Sequence, residues 1–423
     1  MQRLSRWYAR LSWGVCAVCI LVWVSCSGNG ADATGTGEDS GLRLTPDSSG
    51  LDSTRAERAL HELKREALQS FVDHFLIPTL TEFAAACDAL VDACGADAED
   101  PSPEKRASAQ DAWRIVMDSW QRLEVVALGP AGAMGKVIGG MDLRDEIYSW
   151  PGGNPCRVDQ ETTEKVYEDA EAFKLEFVNV RGLDAIEQLV FVEGDGNDCA
   201  QNSNLNTSGA WAALSSEEIR QQRADYAATL AGIVQGHAGE LKAAWEDGFG
   251  VALATAGEGS EIFSTAHDGL NSLTNALFYL DKVTKDMKLA EPSGVSECEK
   301  EACPGSLESL FAHQSKEHVR ANLEAFRDVL AGGLVGAEGR FGILDLLQAV
   351  GAGDLSLKFE STLDAAILAV AGLEGSFLET IESDVEALRD LHGAVKEVTD
   401  LLKTDLLSTF DLELPQRAAS DND

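Results

Sequence analysis

The chain has 423 residues, 44% apolar and 25% charged, with 71 acidic against 34 basic side chains and a net charge of -37. That length exceeds what one small helical core uses and suits two domains of ordinary size. So large a negative charge excludes a nucleic-acid partner, because a phosphate backbone would be repelled. It suits a soluble surface outside the cytoplasm, with attraction of cations as a lesser reading beside that plain one.

At the N-terminus, Arg3, Arg6 and Arg10 precede an apolar run from Leu11 to Val24 that ends in Ser25-Cys26. This is the n- and h-region of a signal peptide, too short for a comfortable membrane span. A small residue before Cys26 resembles a lipobox, so cleavage there would leave a lipid-modified cysteine. Trp23 stands where leucine is usual, and a plain secretion signal or a membrane anchor is the competing reading. Ser27 follows the cysteine, with no aspartate there, which favours the outer-membrane route. The expected location is the bacterial cell envelope, on the periplasmic side of the outer membrane or the cell surface, with the lipid as the only membrane contact. Residues 27–54, rich in Gly, Ser, Thr and Asp, read as a flexible tether.

Helical periodicity then begins, with Leu60, Leu63, Ala67, Phe71 and Phe75 on one face. Pro78 is expected to kink or break this helix before Leu80–Val91 continue it. Asp100-Pro101-Ser102-Pro103 is a turn, and Ser102 or Pro103 starts a helix through Trp113, Val116 and Trp120 to about Ala127. Residues 129–140 and 149–155 are loops. A helix is expected over 174–192, a polar loop over 194–208, and a long helix from Ser215-Ser216, where Glu218 completes a cap. The face of that helix carries Ile219, Tyr226, Leu230, Ile233, His237 and Leu241, and His237 reads as a hydrogen-bonded core residue. Ala266, Leu270, Leu273, Leu277 and Leu280 mark the next helix, and three more cover about 315–331, 354–372 and 376–408. Strand-like alternation is almost absent. The reading is all-α: two helical bundles, 55–210 and 211–414, followed by a disordered tail over 415–423.

Cys16, Cys19 and Cys26 belong to the leader, leaving six cysteines. An even number in an exported chain reads as disulfides, with fifteen pairings open. Cys87–Cys94, Cys156–Cys199 and Cys298–Cys303 are favoured, two because they are close in sequence and one because it joins two loops. No pair has the CxxC spacing of a zinc knuckle.

Several blocks together resemble the imelysin family, which was named for an insulin-cleaving membrane protease and includes periplasmic iron-uptake proteins. Ala112-Trp113 through Trp120 to Glu124 and then Gly129-Pro130 is similar to the family's A-W…W…E…G-P segment. Ile147-Tyr148-Ser149-Trp150-Pro151 resembles I-x-x-W-P. Arg181-Gly182-Leu183-Asp184-Ala185-Ile186-Glu187 resembles the G-x-H-x-x-E signature, with Asp184 in place of the histidine. Glu308-Ser309-Leu310-Phe311-Ala312-His313-Gln314-Ser315, continuing to Ala321-Asn322-Leu323, resembles E-S-x-F-S-x-x-S…N-L. The blocks keep the family's order over most of residues 70–400. The resemblance implies a two-domain helical fold, polar blocks meeting in a cleft between the domains, metal binding and a role in iron uptake. Proteolysis is also attributed to the family.

Asp184 and Glu187, three apart, share one face of a helix. Two carboxylates so placed can share a hard cation or an iron ion, since oxygen donors suit such metals. Replacing His by Asp favours calcium, magnesium or ferric iron over zinc. An exposed acidic stripe is the bland alternative. Glu124 and His313 are the further metal-ligand candidates, and Trp120, Arg144, Trp150, Glu308 and Ser309 the candidates for lining the cleft, with Arg144 able to neutralise a buried acidic cluster. Each of these polar residues reads equally as a cap or ordinary ion pair. His61, His74, His267, His318 and His392 show no ligand spacing.

The sequence has no H-E-x-x-H, no G-x-S-x-G elbow and no P-loop. A peptidase would need Glu187 as general base beside a metal-bound water. Three functions are therefore weighed in this order: an envelope lipoprotein capturing a metal ion (iron or calcium) or its chelate at the interdomain cleft; a non-catalytic helical scaffold, docking an envelope protein, with a degenerate site; and a metallopeptidase.

Overall fold

The computed structural model describes residues 48–416 and 418. The leader, the lipobox at Cys26, residues 27–47 of the tether, and residues 417 and 419–423 of the tail lie outside the described residues.

All regular structure among the described residues is helical. Helix α1 (Ser48–Phe71) passes through one π turn, Val72–Leu76, directly into α2 (Ile77–Glu99). Pro78 therefore does not break the rod. It occupies the start of α2, where a missing N–H is tolerated, immediately after a widened turn. Phe71, Phe75, Phe83 and Leu90 line its buried face.

Helix α3 (Pro103–Glu124) starts as expected at Ser102, whose hydroxyl accepts the Lys105 N–H. The helix expected over 174–192 is replaced by a short turn of helix, Ala170–Phe173, one 3-10 turn, Val178–Val180, and then α4 (Leu183–Phe191). Two facts explain the break. Leu175 and Phe177 are 87% and 76% exposed, so this stretch has no core to face. Gly182 has a φ of 90°, a conformation side chains resist, and a Cβ there would meet the Ile147 carbonyl oxygen at 2.7 Å.

Helix α5 (Ser216–Ala244) opens with the Ser215–Glu218 capping box. His237 is not a core residue on it: it stands half-buried between Glu146 and Glu240, 3.7 and 3.6 Å away. Helix α6 (Ala266–Leu277) leads into an eleven-residue π segment, Leu280–Ala290. Then come α7 (Ser315–Leu330), α8 (Gly353–Gly372) and α9 (Phe377–Asp400), the last running on through the π segment Leu401–Leu406 to Phe410.

Helix α3 is central, touching α2, α4 and α7. The most extensive helix pairing, α2 on α5, joins segments on either side of residue 210. Helix α9 covers α8 and the π segment 280–290. From Gly50 onward these helices form one unit around a continuous core, with a small satellite of Leu205, Trp211 and Ile219. Pro415 and Ala418, expected in a disordered tail, are buried, Ala418 against that core.

Cys156–Cys199 and Cys298–Cys303 are disulfide-bonded. Cys87 and Cys94 are not; both are buried free thiols on α2. Seven residues of helix separate them by about 10 Å of rise, more than a disulfide can span.

Candidate functional site

Three segments surround a cavity of ≈ 370 Å³: the loop Trp150–Pro155, helix α4, and the loop 305–311. Helix α4 starts at the Gly182 turn, so its first turn presents Asp184 and its second presents Glu187 to the same wall. Glu187 is buried and Asp184 half-buried, and both are held by polar neighbours. Glu187 Oε1 accepts three hydrogen bonds, from the Ser309 hydroxyl at 2.8 Å and from the Ala312 and Phe311 amides at 2.9 and 3.0 Å. Asp184 Oδ2 accepts from the Ser149 hydroxyl at 2.6 Å. Burial pushes the Asp184 carboxyl up to about 6 against the pull of Ser149. It pushes Glu187 up to about 7 against its amide and hydroxyl donors. Neither carboxylate forms an ion pair among the described residues.

Glu308, on the same cavity, differs. Its Oε1 takes Gln121 Nε2 at 2.8 Å, Lys288 Nζ at 3.0 Å and the Tyr148 hydroxyl at 3.2 Å, and its Oε2 lies 3.0 Å from His318 Nδ1. Burial alone would raise this carboxyl, but Lys288 and His318 hold it down at about 2. Lys288 is itself fully buried, donating to Gln121 Oε1 at 2.6 Å and Asn322 Oδ1 at 3.0 Å. Glu124 closes the network. It accepts from Arg144 Nε at 3.0 Å and from the Tyr279 hydroxyl at 2.8 Å. Arg144 also donates to the Trp150 carbonyl at 2.6 Å, which pins the cavity's loop wall to α3.

The structure thus brings together Asp184, Glu187, Glu308, Ser309 and Trp150. Glu124 and Arg144 form a buried ion pair behind the wall, so Glu124 is not an open ligand. His313 is exposed and absent from the cavity wall, and its positive φ of 55° belongs to the turn before α7. Trp120 lies in the core beside Phe83, ring centroids 5.2 Å apart, rather than on the cavity. The described residues gather no group of three or more His, Cys, Asp or Glu side chains able to hold a metal ion.

Lys288, His318, Gln121, Asn322, Tyr148 and Tyr279 surround these carboxylates, and the sequence alone marked none of them as a site candidate. A signal existed for Lys288. The apolar stripe Leu273, Leu277, Leu280 continues at helical spacing as Thr284 and Lys288, and both are buried. His318 follows Ser315 and precedes Asn322 on the buried face of α7.

Comparison with known proteins supports the same frame. The model of the imelysin family matches residues 76–404. Iron-regulated protein A of Synechococcus elongatus is 27% identical over 129 residues, 30% of this chain and 32% of that protein, so the match spans about a third of that relative's length. Two solved structures share the fold. One, assigned as an iron-regulated protein A precursor of Parabacteroides distasonis, has a TM-score of 0.65 at 17% identity, covering 83% of this chain and 95% of that one. The other, an imelysin-like protein of Psychrobacter arcticum, has a TM-score of 0.61 at 16% identity, covering 84% and 98%.

Proposed function

The chain belongs to the imelysin family, and on that premise we propose that it is an envelope protein, lipid-anchored through Cys26, that captures a hard cation with its chelating molecule in the cavity beside Asp184 and Glu187. Iron is the first candidate and calcium the second. One observation carries the reading. Glu124 and Glu308 each form an ion pair with a basic side chain, whereas Asp184, half-buried, and Glu187, buried, form none, with Arg144 and His318 acting on them only from beyond ion-pair distance. Buried carboxylates without a counter-charge cost folding free energy, and a bound cation is the counter-charge that offsets it. Oxygen-only donors suit hard ions. Two carboxylates do not complete a coordination shell, and ≈ 370 Å³ is too much room for a bare ion. That volume is at the scale of small-molecule pockets, roughly 300–1,000 Å³, so the remaining ligands come from a chelate or water. The names of the relatives add support from iron regulation.

The scaffold reading is favoured by one observation, the lack of a three-donor group among the described residues. The same observation removes the resident ligand set that a zinc peptidase requires. Titration of the purified protein with ferric citrate, followed by tryptophan fluorescence and calorimetry, tests the proposal. Saturable binding weakened about tenfold or more, roughly 1.4 kcal/mol, by both Asp184→Asn and Glu187→Gln is the expected result. Binding absent, or indifferent to both changes, leaves the scaffold reading in its place.

A further inference from the structure

The Asp184–Glu187 cavity carries charge of one sign. Its charged wall residues are Asp184, Glu187, Glu291 and Glu308, and no lysine, arginine or histidine lines it among the described residues. Glu308 is balanced from behind the wall by the buried Lys288. The other three form no ion pair among the described residues. The net charge of -37 sets the wider field in the same direction.

Glu291 has entered no argument so far. It opens the short helix Glu291–Ser293 at the end of the π segment 280–290 and is half-buried on the cavity wall. Burial raises its carboxyl, and Glu297 and Asp286 raise it further, so its electrostatic neighbours are acidic as well. Hydrogen bonding shows the same bias. Asn179, on the same wall, has a side-chain oxygen without a donor among the described residues, and ionised carboxylates only accept. Trp150 and Phe311 add aromatic surface, whose faces attract a cation. A chelate that brings carboxylates of its own, as citrate does, meets like charge here and few donors. A chelate that brings ammonium groups meets acceptors and aromatic rings.

We propose that the cavity selects iron chelates of net positive charge, with Glu291 as the residue that recognises a pendant ammonium while Asp184 and Glu187 face the metal. This rests on the iron reading above and narrows its ligand to amine-bearing chelators, with citrate as the weak ligand.

Three ferric complexes that share one iron-binding group and differ in charge test it. They are those of glycine hydroxamate, acetohydroxamate and succinate monohydroxamate, whose side groups are an ammonium, a methyl and a carboxylate. Each is prepared at two chelators per iron and titrated calorimetrically into the purified full-length protein, beside ferric citrate. Salt at about 0.15 M screens the distant surface charges, beyond about 8 Å. The expected order of affinity is ammonium, methyl, carboxylate, with at least about tenfold from first to last and ferric citrate at the weak end. Glu291→Gln keeps the side chain's shape and breaks no ion pair. It should shrink that span to about threefold or less while leaving the methyl complex unchanged. Equal affinity for the three, a preference for the carboxylate complex, or a span untouched in Glu291→Gln overturns the proposal and leaves iron capture standing. Failure of all four complexes to bind removes the iron reading and this proposal with it.

Discussion

Glu187→Gln should make the protein more stable at neutral and alkaline pH while removing its cation affinity. The wild-type carboxyl titrates near 7 in the fold against 4.5 when unfolded, because burial disfavours its charge. The folded state therefore holds the proton more tightly. The stability it contributes is complete below pH 4.5 and is lost as pH rises through 7. The full difference is about 3 kcal/mol between pH 4 and pH 8. Glutamine keeps an oxygen to accept the Ser309, Phe311 and Ala312 donors and carries no charge to desolvate. Its unfolding free energy should lack that decline, so the variant gains about 1–3 kcal/mol over wild type at pH 8 and little at pH 4.5. Urea unfolding of both proteins across pH 4.5–8, without added metal, measures this. Parallel pH profiles, or a variant less stable at pH 8, would refute the claim that Glu187 sits buried without an ion pair. A mutation that stabilises while abolishing binding is the signature of a functional site held at a cost in stability.

Four further predictions rest on the structure. Lys288→Met should destabilise by about 3–5 kcal/mol, because Glu308 and Glu124 then lose a buried cation. Adding Glu308→Gln should recover part of the loss, and additive effects in the double-mutant cycle would contradict the pairing. With its carboxyl held at about 2, Glu308 also supplies stability that is present above pH 4.5 and lost as pH falls towards 2; Glu308→Gln should flatten that acid limb in a thermal melt series. Gly182→Ala should cost about 1–3 kcal/mol in backbone strain. Its Cβ would press on the Ile147 carbonyl and reach 3.1 Å from Asp184 Oδ1, so ferric citrate affinity should fall with stability. Finally, burial pushes the Cys87 and Cys94 thiols up to about 12. Maleimide should label them only after denaturation, and labelling of the native protein would contradict their burial.

Local chemistry was enough to read the helices themselves. The 3.6-residue apolar stripes of α1, α5 and α6, the Ser215–Glu218 box, the Ser102–Pro103 start and the Cys298–Cys303 disulfide follow from neighbours in the chain. So does the pairing of Asp184 with Glu187, since i and i+3 share a helix face wherever the helix is placed. What surrounds that pair depends on residues 35 to 125 positions away, and no local pattern encodes it. Glu187 is anchored by Ser309, Phe311 and Ala312, and Glu308 by Gln121, Tyr148, Lys288 and His318. Lys288 reads as a surface lysine because charge alone predicts exposure. It is buried because the helix that carries it packs among α7, α9 and the Glu308 loop, where only a cation balances the carboxylates. Glu124 was drawn into the expected ligand set by its block, yet the fold hands it to Arg144 and Tyr279 instead. Which carboxylates remain without a partner is a property of packing, and that is what separates a structural ion pair from a site.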